Sequence, residues 1–472
     1  MPIPFHVSLV GRGDLAGEIF RQIRQAIVTG QLRPQERLPA IRDLARSLSV
    51  SRTTVTVAYE RLAGEGLVTS RVGAGTFVTS VPFHRQSSAV PNISAIKARE
   101  IWQWIPLPTA FDRPARFDFR TGLPDADLFP ARTWRRLLGR CMSLATGTYQ
   151  HPAGNEDLRE AISKHLAVSR SVRASSEVIV ITSGAQQAFD IVSRTLLAPG
   201  DTIAVEDPGY EPARRLFQSL GLVVKSVPVD GEGIVIDALP SNARAVYVTP
   251  SHQYPLGVTM SLARRKLLLD WADREDAAII EDDYDSEFRF GGRPLEPLKT
   301  LDWSGRVIYL GTFSKTLLPQ LRLAFVVAPA PLVSALHRAK YVSDWYSPST
   351  TQSAMAMFIE DGGFARHIRK IGAIYSERHQ IVAHTIEQDF KGVFQLLPSE
   401  IGLHLAAFSL LHSVQSLKEV IRVAGLDGIA VQPLSSFTFG STGRPGVVIG
   451  YGGIKSGEIR EGLRRFRNYL TA

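Results

Sequence analysis

Gly311-Thr312-Phe313-Ser314-Lys315, closed by Arg322, is the stretch that decides how this chain folds and what it can hold. A lysine attacks a carbonyl only when its amine is partly deprotonated, and burial achieves this by penalising the charged form. The hydroxyls of Thr312 and Ser314 suit a phosphate, as does the guanidinium of Arg322, seven residues beyond the lysine. One short segment thus offers an amine beside an anion cradle.

Around it, short apolar runs alternate with helical patterns: Val178 to Ile181, Ile203 to Val205, Ala245 to Val248, Ala277 to Ile280, Val307 to Leu310 and Leu323 to Val327. That rhythm predicts an α/β fold on a mostly parallel sheet whose strand ends carry the site. Three more motifs fall after such ends. Ser183-Gly184-Ala185-Gln186 turns a strand into a helix and aims amide hydrogens at an anion, although a lone Ser-Gly turn is more often structural. Glu206-Asp207-Pro208-Gly209-Tyr210 offers a ring to lie against another ring, where an isolated tyrosine is more often core. Glu281-Asp282-Asp283-Tyr284 offers a carboxylate that keeps a pyridine nitrogen protonated and a hydroxyl for a phenolic oxygen, where an acid cluster alone more often marks a metal or a solvated edge. Four motifs in this order, all at strand ends, do not fit surface chemistry.

At 472 residues the chain exceeds one ordinary core, so two or three domains are expected, and 44% hydrophobic with 21% charged residues is a globular composition. The single cysteine, Cys141, excludes an internal disulfide framework and a cysteine metal cluster, and no metal site is expected. Met1 to His6 lacks the basic start and apolar run of a signal peptide, and no segment is apolar enough to cross a bilayer; a cytoplasmic location without membrane contact is the expectation. The formal charge is +9, and residues 1 to 85 carry eleven arginines, no lysine and six acids. Arginine's planar fork matches phosphates and guanine edges, which points that end of the chain at nucleic acid.

There, Leu15, Ile19, Ile23 and Ile27 share one helical face ending near Gly30; Ile41, Leu44, Ala45 and Leu48 mark a second helix. Ser51 can cap a third, with Val55, Ala58, Tyr59 and Leu62 inward and Arg52, Thr53 and Thr56 outward. Leu67 to Val78, with Gly73-Ala74-Gly75 between extended runs, reads as a β-hairpin wing. A small helical interaction domain is the bland alternative. Arg37-Leu38-Pro39, Val50-Ser51-Arg52-Thr53-Thr54-Val55, Ala58-Tyr59, Glu65-Gly66-Leu67 and Gly73-Ala74-Gly75-Thr76-Phe77-Val78 resemble the GntR family of winged-helix regulators. The resemblance implies a DNA-binding set of Arg42, Arg52, Thr53, Thr54, Thr56 and Gly75. Residues 1–80 are assigned to this domain, 81–115 to a proline-rich linker in which Trp102 and Trp104 dock on a surface, and 116–472 to a second domain.

Residues 116 to 472 resemble a fold-type I aminotransferase, with a large parallel-sheet domain and a smaller α/β domain, and the fusion resembles the MocR family of GntR-type regulators. The resemblance implies pyridoxal 5'-phosphate as cofactor, Lys315 as its Schiff-base lysine, Asp282 at the pyridine nitrogen, Tyr284 at the phenolic oxygen and Tyr210 stacked on the ring. It places Ser183, Gly184, Ala185, Thr312, Ser314 and Arg322 around the phosphate, and Tyr149 on the phosphate of a neighbouring subunit, hence a homodimer.

Two positions depart from aminotransferases. In Thr249-Pro250-Ser251-His252-Gln253-Tyr254-Pro255-Leu256-Gly257 the usual asparagine is Tyr254, and Leu256 stands where threonine is usual. In Pro445-Gly446-Val447-Val448-Ile449-Gly450 the arginine that holds a substrate carboxylate is replaced by Val448, while Arg444 is four residues upstream and points elsewhere. Three functions are open: a regulator sensing an amine, an amino acid or the cofactor itself; an active aminotransferase with a DNA-targeting arm; and a DNA-binding protein using a dead scaffold. Lys315 with Asp282 and Tyr284 argues against the scaffold, Val448 against the enzyme. The expectation is a regulator on an operator with two half-sites, its Schiff-base chemistry not leading to turnover, with the missing arginine favouring an effector without an α-carboxylate or the cofactor as signal.

Overall fold

The computed structural model describes residues 13–71, 73–79, 97–107, 114–144, 147–291, 296–439 and 443–471. The chain divides into two compact units, Met1–Lys97 and Ala98–Ala472. Of the expected linker, residues 81–96 and 108–113 lie outside the described residues, as do Met1 to His6.

The first unit holds α1 (Leu15–Val28), α2 (Ile41–Ser47), α3 (Arg52–Gly64), β1 (Val68–Arg71) and β2 (Gly75–Val78). Each helix starts where the sequence supplies or permits a start. The Asp14 carboxylate accepts from Gly17 N at 2.9 Å, and Ser51 Oγ accepts from Thr54 N at 3.1 Å, caps of about 1 kcal/mol each. The apolar stripes then meet: Ile19, Ile23, Leu44, Val55, Ala58 and Leu62 are fully buried against one another or nearly so. β1 and β2 pair antiparallel from Val68↔Val78 to Arg71↔Gly75, giving the wing.

The second unit begins with α4 (Ile101–Trp104), β3 (Phe117–Asp118), α5 (Ala131–Ser143) and α6 (Glu156–Ser169). Next come β4 (Ile179–Thr182), α7 (Ala185–Leu196), β5 (Thr202–Asp207), α8 (Glu211–Ser219), β6 (Val223–Asp230), β7 (Gly233–Ile234) and β8 (Ala243–Val248). α9 (Leu262–Arg274), β9 (Ala278–Asp283), α10 (Leu298–Leu301), β10 (Val307–Thr312) and β11 (Ala324–Val327) complete the large sheet and its cover. α11 (Ala330–Asp344), α12 (Ser349–Glu360) and α13 (Gly363–Asp389) lead to β12 (Phe394–Leu396), β13 (His404–Ser409), α14 (Val414–Leu426), β14 (Ile429–Ala430), β15 (Gln432–Pro433), β16 (Gly446–Gly450) and α15 (Ser456–Thr471).

The large sheet runs β4-β11-β10-β9-β8-β5-β6-β7 and a smaller one β12-β13-β16-β15. β10, β9, β8, β5 and β6 are mutually parallel, whereas β11 is antiparallel to both its neighbours, β10 and β4. The reversal of β11 matters for the site. β4, β5, β9 and β10 all finish at one edge, and β11 starts from the same edge, so Arg322 just before it arrives beside Ser183, Asp282 and Lys315.

The central strands are buried on both faces, which is why they read as continuous apolar runs, whereas β6 near the edge is largely exposed. Tyr247, Ile280 and Val326 pack under α7, α8 and α11, while Val246, Ile279 and Val307 pack under α9. Cys141 is buried with Trp134, Leu137, Leu158 and Met355 among α5, α6 and α12. The small sheet lies under α13 and α15 through Tyr375, Val382, Leu463 and Phe466. Of the two tryptophans expected to dock, Trp102 borders a cavity of about 540 Å³ with Arg194, Leu216 and Leu220 but is still 55% exposed, and Trp104 is 68% exposed. Four residues of helix present only one of the two indoles to α8. Among the described residues no helix is long and apolar enough to cross a membrane.

Leu62→Ala should lower the stability of the first unit by about 2 to 5 kcal/mol, because Leu62 is wholly enclosed. All the tryptophans, from Trp102 to Trp345, lie in the second unit. Denaturation followed by circular dichroism should therefore show an early helical loss that tryptophan fluorescence does not share; coincident shifts in both signals would contradict it.

Candidate functional site

The turn from β4 into α7 is made by Ser183 and Gly184, and Gly184 has φ +83°. A Cβ there would lie 2.6 Å from the Arg322 guanidinium, so only glycine permits this approach. Arg322 Nη2 donates to the Ser183 carbonyl at 2.8 Å. Thr312 Oγ1 and Ser314 Oγ are 3.0 Å apart, and Ser314 N donates to Thr312 Oγ1 at 3.2 Å. A guanidinium, two hydroxyls and the positive end of the 12-residue α7 thus converge, a donor set fitting a phosphate.

Lys315 Nζ donates to the Gly122 carbonyl at 2.9 Å. Burial lowers the pKa of this amine, against the pull of the Asp285 and Asp282 carboxylates. Asp282 is enclosed, with the Tyr247 hydroxyl donating to its Oδ2 at 2.7 Å, and burial pushes its carboxyl up to about 7. Tyr210 feels both Asp282 and Arg322; burial and then the Asp282 charge push its hydroxyl up to about 12 while Arg322 opposes. The Tyr210 ring meets Tyr254 edge-on at 5.7 Å.

The acid cluster is sorted by strand parity. Asp282 faces Tyr247 and the lysine, whereas its neighbours point away: Glu281 accepts from Leu298 N and Lys299 N, both at 2.8 Å, and Asp283 takes Arg170 at 2.8 Å and the Tyr309 hydroxyl at 2.6 Å. The Tyr284 hydroxyl donates to the His252 carbonyl at 2.9 Å and lies 3.0 Å from His252 Nδ1. His252 Nδ1 is 3.0 Å from Asp285. His252, Asp285 and His404 form one buried group among the described residues whose ligand atoms lie within 4.8 Å of one another.

Tyr149 is not brought to Lys315 within its own chain. It is 72% exposed and stacks on Trp345 at 4.4 Å. Val448 is fully buried with Leu256, Leu434 and Phe437, and Arg444 lies over the Phe408 ring at 3.8 Å. Sequence reasoning missed Tyr247, Gly122, Asp285 and His404, and Thr121, whose Oγ1 is 2.7 Å from the Tyr254 hydroxyl and donates to Gln432 at 2.9 Å. The one local signal was Gly122, whose φ of +81° and 3.0 Å approach to Nζ restrict that position to glycine.

In the first unit Arg42, Arg52 and Thr53 are exposed, Arg42 with Asp43 at 3.6 Å. Thr54 and Thr56 are half-buried and structurally engaged: Thr54 N is capped by Ser51, and Thr56 Oγ1 donates to Arg52 O at 3.0 Å. Gly75 has φ +112°, and a Cβ on it would meet Arg37 Nε at 2.7 Å, so this glycine lets the wing close over an arginine.

Comparison with known proteins agrees with both halves. Residues 15–78 match the bacterial regulatory proteins of the gntR family, and residues 132–466 match aminotransferase class I and II. The chain is 35% identical over 468 residues to the probable rhizopine catabolism regulatory protein MocR of Rhizobium meliloti, covering 96% of this chain and 93% of that one. It is 34% identical to the pyridoxine biosynthesis transcriptional regulator PdxR of Corynebacterium glutamicum, covering 92% and 91%. Among solved structures, Pyrococcus horikoshii kynurenine aminotransferase superposes with a TM-score of 0.71 at 27% identity, over 80% of this chain and 95% of its own. The second unit thus has the fold in which aminotransferases bind pyridoxal phosphate.

A raised carboxyl pKa means that the folded chain keeps a proton the unfolded chain releases, so stability from Asp282 is full below the ordinary carboxylate range and is lost as pH rises through about 7. Asp282→Asn removes that titration. In cofactor-free protein, the stability of the variant relative to the parent should rise between about pH 5 and about pH 8, measured by urea unfolding. A difference independent of pH would sink this assignment.

Proposed function

This chain belongs to the family of transcriptional regulators that join a GntR-type winged helix to an aminotransferase class I and II domain, and from that premise we propose that it holds pyridoxal phosphate at Lys315 and changes its grip on DNA when an amine effector, or the cofactor itself, binds. The observation that carries the reading is Lys315: a half-buried amine of lowered pKa, hydrogen-bonded to Gly122, with the Asp285 and Asp282 carboxylates in electrostatic reach. A scaffold has no use for such a lysine. When bound, the cofactor supplies an electrophilic carbon for amines and an electron sink.

The residues divide the work. Asp282 holds a proton at the pyridine nitrogen, Tyr247 fixes that carboxylate, Tyr210 covers the ring, and Arg322 with Ser183, Gly184, Ala185, Thr312 and Ser314 anchors the phosphate. Tyr284 offers its hydroxyl to the phenolic oxygen. Tyr149, exposed on its own subunit, completes the phosphate site of a partner in a homodimer. With Val448 buried among apolar side chains, nothing orients an amino-acid carboxylate there, so repeated proton transfer is not supported. Coupling of about 1 to 3 kcal/mol between this site and DNA is enough to change operator occupancy several-fold.

Purified protein supplied with pyridoxal phosphate should acquire a visible absorption band, and Lys315→Ala should abolish it without changing far-ultraviolet circular dichroism. A protein that stays colourless defeats the cofactor reading.

On operator DNA, Arg52→Ala should weaken binding by about 1 to 3 kcal/mol and, if the contact is to phosphate, reduce the slope of log affinity against log salt by about 0.9. Footprinting should show two half-sites, one for each subunit of a dimer. Affinity indifferent to Arg52→Ala, or a single short footprint, contradicts the arrangement.

A further inference from the structure

The small sheet reaches the cofactor lysine through Thr121 and Gly122, and among the described residues the face it turns there carries no charged side chain. Ala406 pairs with Val448, and Val448 pairs with Gln432, so these side chains share one face; His404, two residues before Ala406, shares it too. That face is turned to the lysine. Gln432 Oε1 accepts from Thr121 N at 2.7 Å and Thr121 Oγ1 at 2.9 Å, and the next residue, Gly122, receives Lys315 Nζ. His404 meets the ring of Tyr254 at 5.4 Å and that of His252 at 4.6 Å, and burial holds its pKa well below the ordinary value.

Five described arginines of this unit have other partners. Arg444 lies on Phe408, and Arg120 is held by Asp118, Nε to Oδ1 at 2.7 Å. Arg170 is paired with Asp283 and Arg378 with Asp125. Arg214 lies over Phe439 at 3.9 Å and faces Glu211 at 3.9 Å. A carboxylate brought to Val448 would be dehydrated without a cation. A neutral hydroxyl fits instead: Gln432 Nε2 donates to no described residue, and the hydroxyls of Thr121 and Tyr254 stand beside it.

We propose that the effector is a primary amine whose remaining part is uncharged and hydroxylated, an amino alcohol in class, with its amine towards Lys315 and its hydroxyl on the Thr121, Tyr254 and Gln432 network. This rests on the cofactor reading above and specifies what that site takes. Val448 is its specificity-determining residue: enclosed among Leu256, Leu434 and Phe437, it supplies no cation for a carboxylate, so amino acids are rejected at that end.

The test uses the full-length protein loaded with pyridoxal phosphate and two matched pairs of amines: 2-amino-1-propanol against alanine, and 4-amino-1-butanol against 4-aminobutyrate. Half-saturation is read from the change in the visible spectrum and, independently, from the shift in melting temperature. In at least one pair the alcohol should act at a concentration at least about tenfold below its amino acid, a differential of about 1.4 kcal/mol. Val448→Arg should reverse that order; the wild-type comparison stands by itself if this variant fails to fold. Amino acids equal to or better than alcohols in both pairs overturn the proposal, as does a coloured protein that responds to neither alcohol. A protein that never takes up the cofactor overturns the underlying reading instead, and the absence of the visible band before any amine is added tells the two failures apart.

Discussion

Keeping the amine of Lys315 away from water is the constraint from which the rest of the site follows. Desolvation lowers its pKa, but a dry amine still requires an acceptor, and the Gly122 carbonyl supplies one without adding a charge that would restore the proton. Carboxylates are admitted only where they are occupied: Asp282 takes the Tyr247 hydroxyl, Asp283 takes Arg170 and Tyr309, and Glu281 takes two backbone amides. Burial then pushes both Glu281 and Asp282 up to about 7, so the ladder of acids along β9 presents less negative charge to the lysine than its composition suggests. The reversed β11 is the topological counterpart, bringing Arg322 to the edge where the parallel strands end.

Much of this was legible in the sequence wherever one segment supplied its own chemistry. Lys315 with Thr312 and Ser314 is local, the Ser183 to Ala185 turn is local, and the strand rhythm that puts them at one edge follows from apolar runs. What escaped was set by long-range packing. Tyr247 reaches Asp282 across 35 residues, Gly122 reaches Lys315 across 193, and Gln432 reaches Thr121 across 311. No periodicity encodes such pairs. The sorting of the acids by parity depended on β9 extending to Asp283, three residues beyond the apolar run that announced it.

The DNA-binding half shows how a motif mixes two demands. Thr54, Thr56 and Gly75 belong to the recognisable pattern, yet each has work inside the fold: a capped amide, a hydroxyl returned to the helix backbone, a wing closed over Arg37. Arg42, Arg52 and Thr53 have side chains turned out to solvent. A pattern of residue types therefore overstates the contact surface, because part of it preserves the shape that presents the rest.

The lone cysteine has a practical consequence. Cys141 is enclosed between α5, α6 and α12, and burial raises its thiol pKa, so it resists alkylation while the chain is folded. A cysteine introduced at Thr53 or Trp104 is thus the single reactive thiol on the chain without removal of the natural one. Spin labels or dye pairs attached there report in solution, with and without amine, whether two chains associate and at what spacing.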